Sequence, residues 1–265
     1  GDYSADRELK RTLISAAAAA IEPINPTSTG DGQRMGLALG ARILNGDMHL
    51  AGIRFVAPVA PSWISRLPPS RWLTRPARLA LQIAPQSIVR RFLMGFLTTV
   101  LVPQHELFEA GAILVNKRGE RFTDEKDRTM QTGPAQPDGM AYIVLGAALA
   151  QKFSCWPHYV STAPGFAYAY LDDYRKYRPD LYHRAETTEA LAADLGMDAA
   201  ALTHAIGGNA SASGIAPREA LGAGPYYALG PVKLYINFTD GGLAVNEHLQ
   251  VLGAASQPIR GLYAA

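Results

Sequence analysis

From Met48 to His105 the chain has no aspartate or glutamate, seven arginines (Arg54, Arg66, Arg71, Arg75, Arg78, Arg90, Arg91) and prolines at 58, 61, 68, 69, 76, 85 and 103. Each proline removes a backbone donor and crowds the turn before it, so this stretch can form only short helices. Its most apolar run, Phe92 to Val102, falls well short of the roughly 20 residues that a membrane-crossing helix needs. With Trp63 and Trp72 among the arginines, three readings fit: a helix lying on an anionic membrane surface, a lid over an apolar cavity, or a core helix with a solvated arginine face.

The basic stretch also explains the overall charge. Lys and Arg number 25 against 23 Asp and Glu, a net +2. The segment alone carries +7, which leaves −5 for the rest. Basic charge is therefore local, and a whole-surface nucleic-acid binder is excluded. At 48% hydrophobic the chain is not disordered, and 265 residues suffice for one large domain or two modest ones. The single cysteine, Cys155, excludes an internal disulfide and a multi-cysteine metal site. His49, His105, His158, His183, His204 and His248 show no ligand spacing, so no metal is expected. No targeting signal opens the chain at Gly1-Asp2-Tyr3-Ser4, which points to a cytoplasmic protein and reads as a cut end.

Elsewhere the patterns are conventional. Ser4 and the run from Arg7 through Ala20 predict a capped helix whose Leu9, Leu13 and Ala17 share a face. The loop Asn25-Pro26-Thr27-Ser28-Thr29-Gly30-Asp31-Gly32 feeds a helix starting near Asp31, with Met35, Leu39 and Ile43 in period. A Gly-rich loop at a helix start offers unpaired N–H groups to a phosphate or an electron-rich ring edge; it also fits a plain turn and cap. A hairpin is expected from Ala112 to Phe122 and a strand over Ala141–Leu145, followed by tyrosine-rich helix around 170–183. Further helices are expected over Thr188–Leu195 and from Asp198 to Ile206. The C-terminal part turns to β: Val232–Phe238, the turn Thr239-Asp240-Gly241-Gly242, Leu243–Val245 paired with Gln250–Leu252, and a buried apolar strand ending at Ala265. A buried strand at a terminus also reads as a cut.

Six pieces occur in one order: Thr29-Gly30-Asp31-Gly32 with Leu39-Gly40-Ala41; Gly111 to Asn116 with Gly119, Arg121, Phe122 and Glu125; Thr187 to Asp198; Pro225-Tyr226-Tyr227-Ala228; Thr239-x-Gly241-Gly242-Leu243; and Pro258-Ile259-x-Gly261-Leu262-Tyr263-Ala264-Ala265. Together they resemble the FAD-dependent fumarate reductase/succinate dehydrogenase flavoprotein superfamily, nearer its 3-ketosteroid dehydrogenase branch. The resemblance implies an α+β chain: an FAD-binding α/β domain (1–50 and 228–265) interrupted by a smaller α+β capping domain (51–227) that closes over the flavin. It also implies that the dinucleotide fingerprint and a Gly-rich acidic segment, which flank this region in the family, lie outside these residues.

The same resemblance assigns FAD as cofactor and Thr29, Gly30, Asp31 and Gly32 as its contacts. Asp31 can accept from a flavin or ribityl hydroxyl while capping its own helix. In fumarate reductases an arginine after R-F-x-x-E donates the proton; Arg128 is the nearest, one residue closer to Glu125 than the family spacing, where Thr129 stands instead. Otherwise Arg121 to Arg128 is a solvated charge run in which Arg121 and Glu125 pair. Substrate contacts fall to Phe238 and Thr239. Fumarate reductases carry histidines where this chain has Phe238 and, approximately, Gly52, and a dicarboxylate would lack partners there. The expected activity is hydride transfer between flavin and an activated C–C bond of an apolar carbonyl substrate. The alternatives are reduction of a small carboxylate, or a non-catalytic membrane-surface module. Expected partners are the small molecule, an unspecified electron donor or acceptor, no nucleic acid, and peripheral membrane contact through residues 60–104.

Overall fold

The computed structural model describes residues 2–57, 70, 72, 75–76, 94–95, 97–98, 100–126, 136–163, 165, 167–210 and 214–265. Most of the proline-broken stretch and Arg128 lie outside the described residues. The chain is α+β and divides into two compact units: Gly1–Gly52 with Leu234–Ala265, and Ile53–Arg128 with Gln136–Lys233.

In the first unit the expected single N-terminal helix is two. Helix α1 (Arg7–Leu13) is capped by Asp6 rather than Ser4, its Oδ1 accepting from Glu8 N–H at 2.9 Å and Leu9 N–H at 3.0 Å. Helix α2 (Ala16–Ala20) starts afresh because Ser15 is extended (φ −172°) and its hydroxyl caps Ala18 N–H at 3.0 Å. A serine that can cap will break a helix as readily as continue it. Buried Lys10 reaches the carbonyl of Ile21 at 2.5 Å and so satisfies the end of α2. Strand β1 (Glu22–Pro23) leads to α3 (Asp31–Ala38), which begins where the pattern places it. Its buried side, however, is Gln33 and Gly36, while Met35 and Leu39 are 63% and 59% exposed. A Cβ on Gly36 would stand 2.5 Å from Leu243 Cδ2, so a larger residue would have to push that leucine side chain aside. Ile43 belongs not to α3 but to β2 (Ile43–Leu44).

Two strands, β3 (His49–Phe55) and the last long one, carry the chain from one unit to the other. In the second unit β4 (Val102–Pro103) and α4 (His105–Glu109) precede β5 (Ile113–Asn116). The expected return of that hairpin is a single bridge, Val115 to Arg121, and the full partner of β5 is antiparallel β6 (Met140–Leu145). Helix α5 (Ala147–Lys152) and the hairpin β7 (Ser161–Ala163) and β8 (Ala167–Ala169) follow. Helix α6 (Leu171–Tyr177) stops before Pro179, and Tyr182–Ala185 is strand β9 rather than helix. Helices α7 (Thr188–Leu195) and α8 (Ala199–Ile206) match expectation, capped by Thr187 Oγ1 on Ala190 N–H (3.2 Å) and Asp198 Oδ1 on Ala201 N–H (2.7 Å). Their Leu191, Leu202, Ala205 and Ile206 pack on Ile113, Val115, Val144 and Ala228, each large side chain contributing about 1.5–3 kcal/mol.

Strand β10 (Tyr226–Thr239) is twice the predicted length. Its first half pairs antiparallel with β6 and β9 in the second unit, with a register shift between Leu229 and Val232. Its second half pairs in parallel with β1 in the first. Strand β11 (Gly242–Leu243) pairs with β2. Strand β12 (Gln250–Leu252) pairs with β13 (Pro258–Tyr263), leaving Val245 and Val251 a single bridge. Far from being buried, β13 is mostly exposed, because its only described partner is β12.

In the charge run Asp124 and Lys126 are exposed as expected, but the expected pair of Arg121 and Glu125 lies out of water. Arg121 and Glu125 are fully buried, joined by Nε to Oε1 at 2.9 Å and Nη2 to Oε2 at 2.9 Å. Arg218 adds a second cation at 3.2 Å, and Leu114 N–H donates to Glu125 at 3.0 Å. The arginines also donate to the carbonyls of Ala216 (2.8 Å), Ala112 (3.3 Å) and Phe108.

Candidate functional site

The turn before α3 is organised by its own side chains. Asn25 Oδ1 accepts from Thr27 N–H (3.1 Å) and Thr27 Oγ1 (2.8 Å), and Asn25 Nδ2 donates to Ser28 Oγ (3.0 Å). Gly30 then adopts φ +68°, and a Cβ there would fall 2.5 Å from Tyr3 Cβ. Both constraints select glycine. Gly30 N–H donates to Asp2 O at 3.1 Å. Gly30, at the N-cap, has no side chain with which to cap the first turn of α3.

That turn opens on a cavity of about 380 Å³ lined by Asp2, Asn25, Thr27, Ser28, Thr29, Gly30, Asp31, Gly32 and Gln33. Nothing stands within 4 Å of a Cβ at Gly32, so that glycine faces open space. All four residues expected to contact the cofactor line this cavity, together with Asn25, Thr27 and Ser28 of the same loop and with Asp2 and Gln33, which were not singled out from the sequence. The donors and hydroxyls suit a polyol or sugar portion of a dinucleotide. Two carboxylates, Asp2 and Asp31, favour hydroxyls over phosphates there, since like charges repel.

Tyr3 is the buried centre behind this wall. Its N–H donates to Thr239 Oγ1 at 3.1 Å and its hydroxyl to the Gly46 carbonyl. Burial pushes the phenol above the usual tyrosine range. Asp6, which caps α1, also binds the Arg34 guanidinium of α3. Burial raises its carboxyl, but Arg34 and the helix N–H groups outweigh that and hold it below the ordinary aspartate value.

A second cavity in this unit, about 360 Å³, is lined by Asp47, Met48, His49, Leu50, Phe238 and Asp240. Strand periodicity places Phe238 in phase with Val232, Leu234 and Ile236, all buried, yet Phe238 is 45% exposed. The buried face thus carries an opening at Phe238. Thr239 does not share it: it is 5% exposed, with its hydroxyl taken up by Tyr3. Asp240 N–H donates to Met48 O at 2.9 Å and joins the two walls. His49 and Asp240 were not singled out from the sequence; Asp240 lies in the turn two residues after Phe238, and the fold brings His49 beside them.

Residues 73–265 match the FAD binding domain family, and the chain belongs to that family. FAD is the cofactor of such a domain, and the glycine turn, uncapped helix start and polar cavity fit part of it. The chain is 29% identical over 167 residues to the probable fumarate reductase Ifc3 of Shewanella frigidimarina, covering 58% of this chain and 25% of that protein. It is 30% identical over 168 residues to the NADH:fumarate oxidoreductase of Klebsiella pneumoniae, covering 58% and 16%. It therefore spans a quarter or less of these relatives. The fold is similar to that of a flavocytochrome c3 fumarate reductase solved in an open conformation, with TM-score 0.60 and 23% identity over 99% of this chain and 38% of that one. The 3-ketosteroid delta1-dehydrogenase of Sterolibacterium denitrificans is also similar, with TM-score 0.53 and 20% identity over 99% and 45%.

Proposed function

We propose that this chain is the core of an FAD-dependent oxidoreductase that transfers hydride between flavin and an activated C–C bond of an apolar, carbonyl-containing substrate. The unit made of Gly1–Gly52 and Leu234–Ala265 acts as the cofactor-binding part, and Ile53–Lys233 as the cap. The observation that carries this reading is the Thr29–Gly32 turn, open at Gly32 and set at the uncapped start of α3 over a polar cavity. Bound flavin supplies the hydride chemistry. The chain's own residues hold the flavin's hydroxyls at Asp31 and position the substrate at Phe238, while Arg128 serves as the proton carrier.

The apolar substrate is favoured over a small dicarboxylate by the second cavity. Among the described residues its lining includes Asp47 and Asp240 and no Lys or Arg, and two carboxylates repel an anion. The test is to express the chain within its full reading frame and record the visible absorbance of bound flavin, where near-stoichiometric flavin is expected. Colourless protein after incubation with FAD overturns the reading. Anaerobic bleaching of that flavin by an apolar saturated ketone supports the substrate class. Reoxidation of the reduced flavin by fumarate alone, with no response to apolar enones, selects the small-carboxylate alternative.

A further inference from the structure

The cavity at Phe238 is rich in hydrogen-bond acceptors and poor in donors. Its apolar wall is Met48, Leu50 and Phe238, and its polar side chains are Asp47, His49 and Asp240. Carboxylates accept hydrogen bonds and donate none, and the three apolar side chains donate none either. The backbone N–H of Met48 is spent on the Asn45 carbonyl at 3.1 Å, and that of Asp240 on the Met48 carbonyl at 2.9 Å. Imidazole carries an N–H in both tautomers and in its charged form. Among the described lining side chains, His49 is therefore the sole donor.

Its place in the fold suits that part. His49 is the first residue of β3, which pairs with β10, the strand that carries Phe238. Its Nδ1 lies 3.4 Å from the Asp47 carbonyl, a weak contact at that length, and the residue is exposed, so the ring can turn an N–H to a ligand. The three ionisable side chains do not make a metal centre: among the described residues no group of three His, Cys, Asp or Glu could hold a metal ion. At about 360 Å³ the cavity falls within the range of roughly 300–1,000 Å³ usual for small-molecule sites.

We propose that His49 donates the hydrogen bond that binds the substrate's carbonyl oxygen, and that this single donor beside two carboxylates confines the site to neutral carbonyl compounds. The proposal rests on the reading of the Phe238 cavity as the substrate site. A ketone oxygen is served by one donor, whereas a carboxylate sets a further negative charge beside Asp47 and Asp240. The apolar remainder of the substrate packs on Met48, Leu50 and Phe238. As negative charge builds on the oxygen during reaction at the adjoining carbons, the hydrogen bond strengthens, and a donor aids the reaction in that way. His49 keeps its proton throughout, so it does not compete with Arg128 as proton carrier.

The test uses the flavin-loaded protein expressed from its full reading frame and three probes built on one ring skeleton: the hydrocarbon limonene, the enone carvone and the carboxylate perillate. Oxidised flavin leaves all three unreacted, so equilibrium dialysis reads binding alone. In His49→Leu the ratio of carvone to limonene affinity should fall about tenfold, with limonene binding held. The carbonyl stretch of bound carvone, lowered in the wild type, should return toward its value in an apolar solvent. His49→Gln, which restores an N–H, should recover most of both effects. Perillate should bind more weakly than carvone, and Phe238→Ala should weaken carvone and limonene alike. Equal loss of both probes in His49→Leu overturns the proposal and makes the ring structural, as does a carbonyl shift that survives there. Perillate bound more tightly than carvone overturns it too. Each of these outcomes leaves the cavity as the substrate site. Colourless protein, wild type that does not bind carvone, or Phe238→Ala without effect on either probe removes that reading, and the proposal with it.

Discussion

The backbone N–H of Tyr3 donates to the hydroxyl of Thr239 at 3.1 Å, joining residues 236 positions apart in one buried contact. The same tyrosine packs on Gly30 and Gly241 and reaches the carbonyl of Gly46. It thereby fixes the glycine turn beside one cavity and the Thr239–Gly242 turn beside the other. Tyr3→Phe removes the hydroxyl and strands the Gly46 carbonyl, at a cost of about 1–2 kcal/mol. Urea denaturation should show the midpoint falling. Tyr3→Ala should cost more, about 3–5 kcal/mol, by leaving a cavity.

Gly30 and Gly32 stand two residues apart and should behave oppositely. Gly30→Ala forces a left-handed residue and a 2.5 Å contact onto Tyr3, costing at least about 1–2 kcal/mol in backbone strain alone. Gly32→Ala adds a methyl in open space within α3 and should stabilise the apo-protein by up to about 1 kcal/mol. That methyl projects into the first cavity, so flavin titration should show weaker binding even as thermal stability rises. Unchanged affinity in Gly32→Ala would remove the cavity from the cofactor site.

Glu125 neutralises two arginines in a buried cluster. Glu125→Gln keeps the shape but leaves Arg121 and Arg218 uncompensated, and should destabilise the second unit by about 3–5 kcal/mol. Chemical denaturation followed by tyrosine and tryptophan fluorescence reads this directly.

Burial raises the Tyr174 phenol well beyond the ordinary tyrosine range, the Ser161 hydroxyl at 2.5 Å offsetting only part of it. A group whose folded-state pKa is raised lends stability that is complete below its unfolded value, about 10, and is lost as pH climbs beyond it. Thermal midpoints should therefore fall from about pH 10 upward, and fall less steeply in Tyr174→Phe. The residual slope belongs to Tyr3, Tyr142 and Tyr182, also raised chiefly by burial. At neutral pH the variant should lose about 1 kcal/mol with the Ser161 hydrogen bond.

Local signals were readable where local chemistry decides structure. Thr187, Gly196 and Asp198 set the ends of α7 and α8 by hydrogen bonds to near neighbours, and the start of α3 was evident for the same reason. The Thr29–Gly32 turn could be read as a candidate cofactor element, but its neighbour Asp2 could not. What escaped depended on distant partners. The burial of Arg121 and Glu125 requires Arg218, 93 positions beyond Glu125, and nothing near Glu125 announces it. The period of Met35 and Leu39 located α3 but not its buried side, which Leu243 determines. Phe238 follows the alternation of a buried face, and only the cavity shows it exposed.

The Arg121–Glu125–Arg218 cluster has one more consequence. With a single cysteine, exposed and unpaired, these 265 residues hold no internal disulfide, yet the cluster ties segments around residues 108–114, 121–125 and 216–218 together. It holds those segments only while the unit is folded, whereas a disulfide also constrains the unfolded chain. Unlike a disulfide, it is indifferent to thiols. The second unit should therefore keep its melting temperature in the presence of strong reductants, and its folding calls for no oxidising environment.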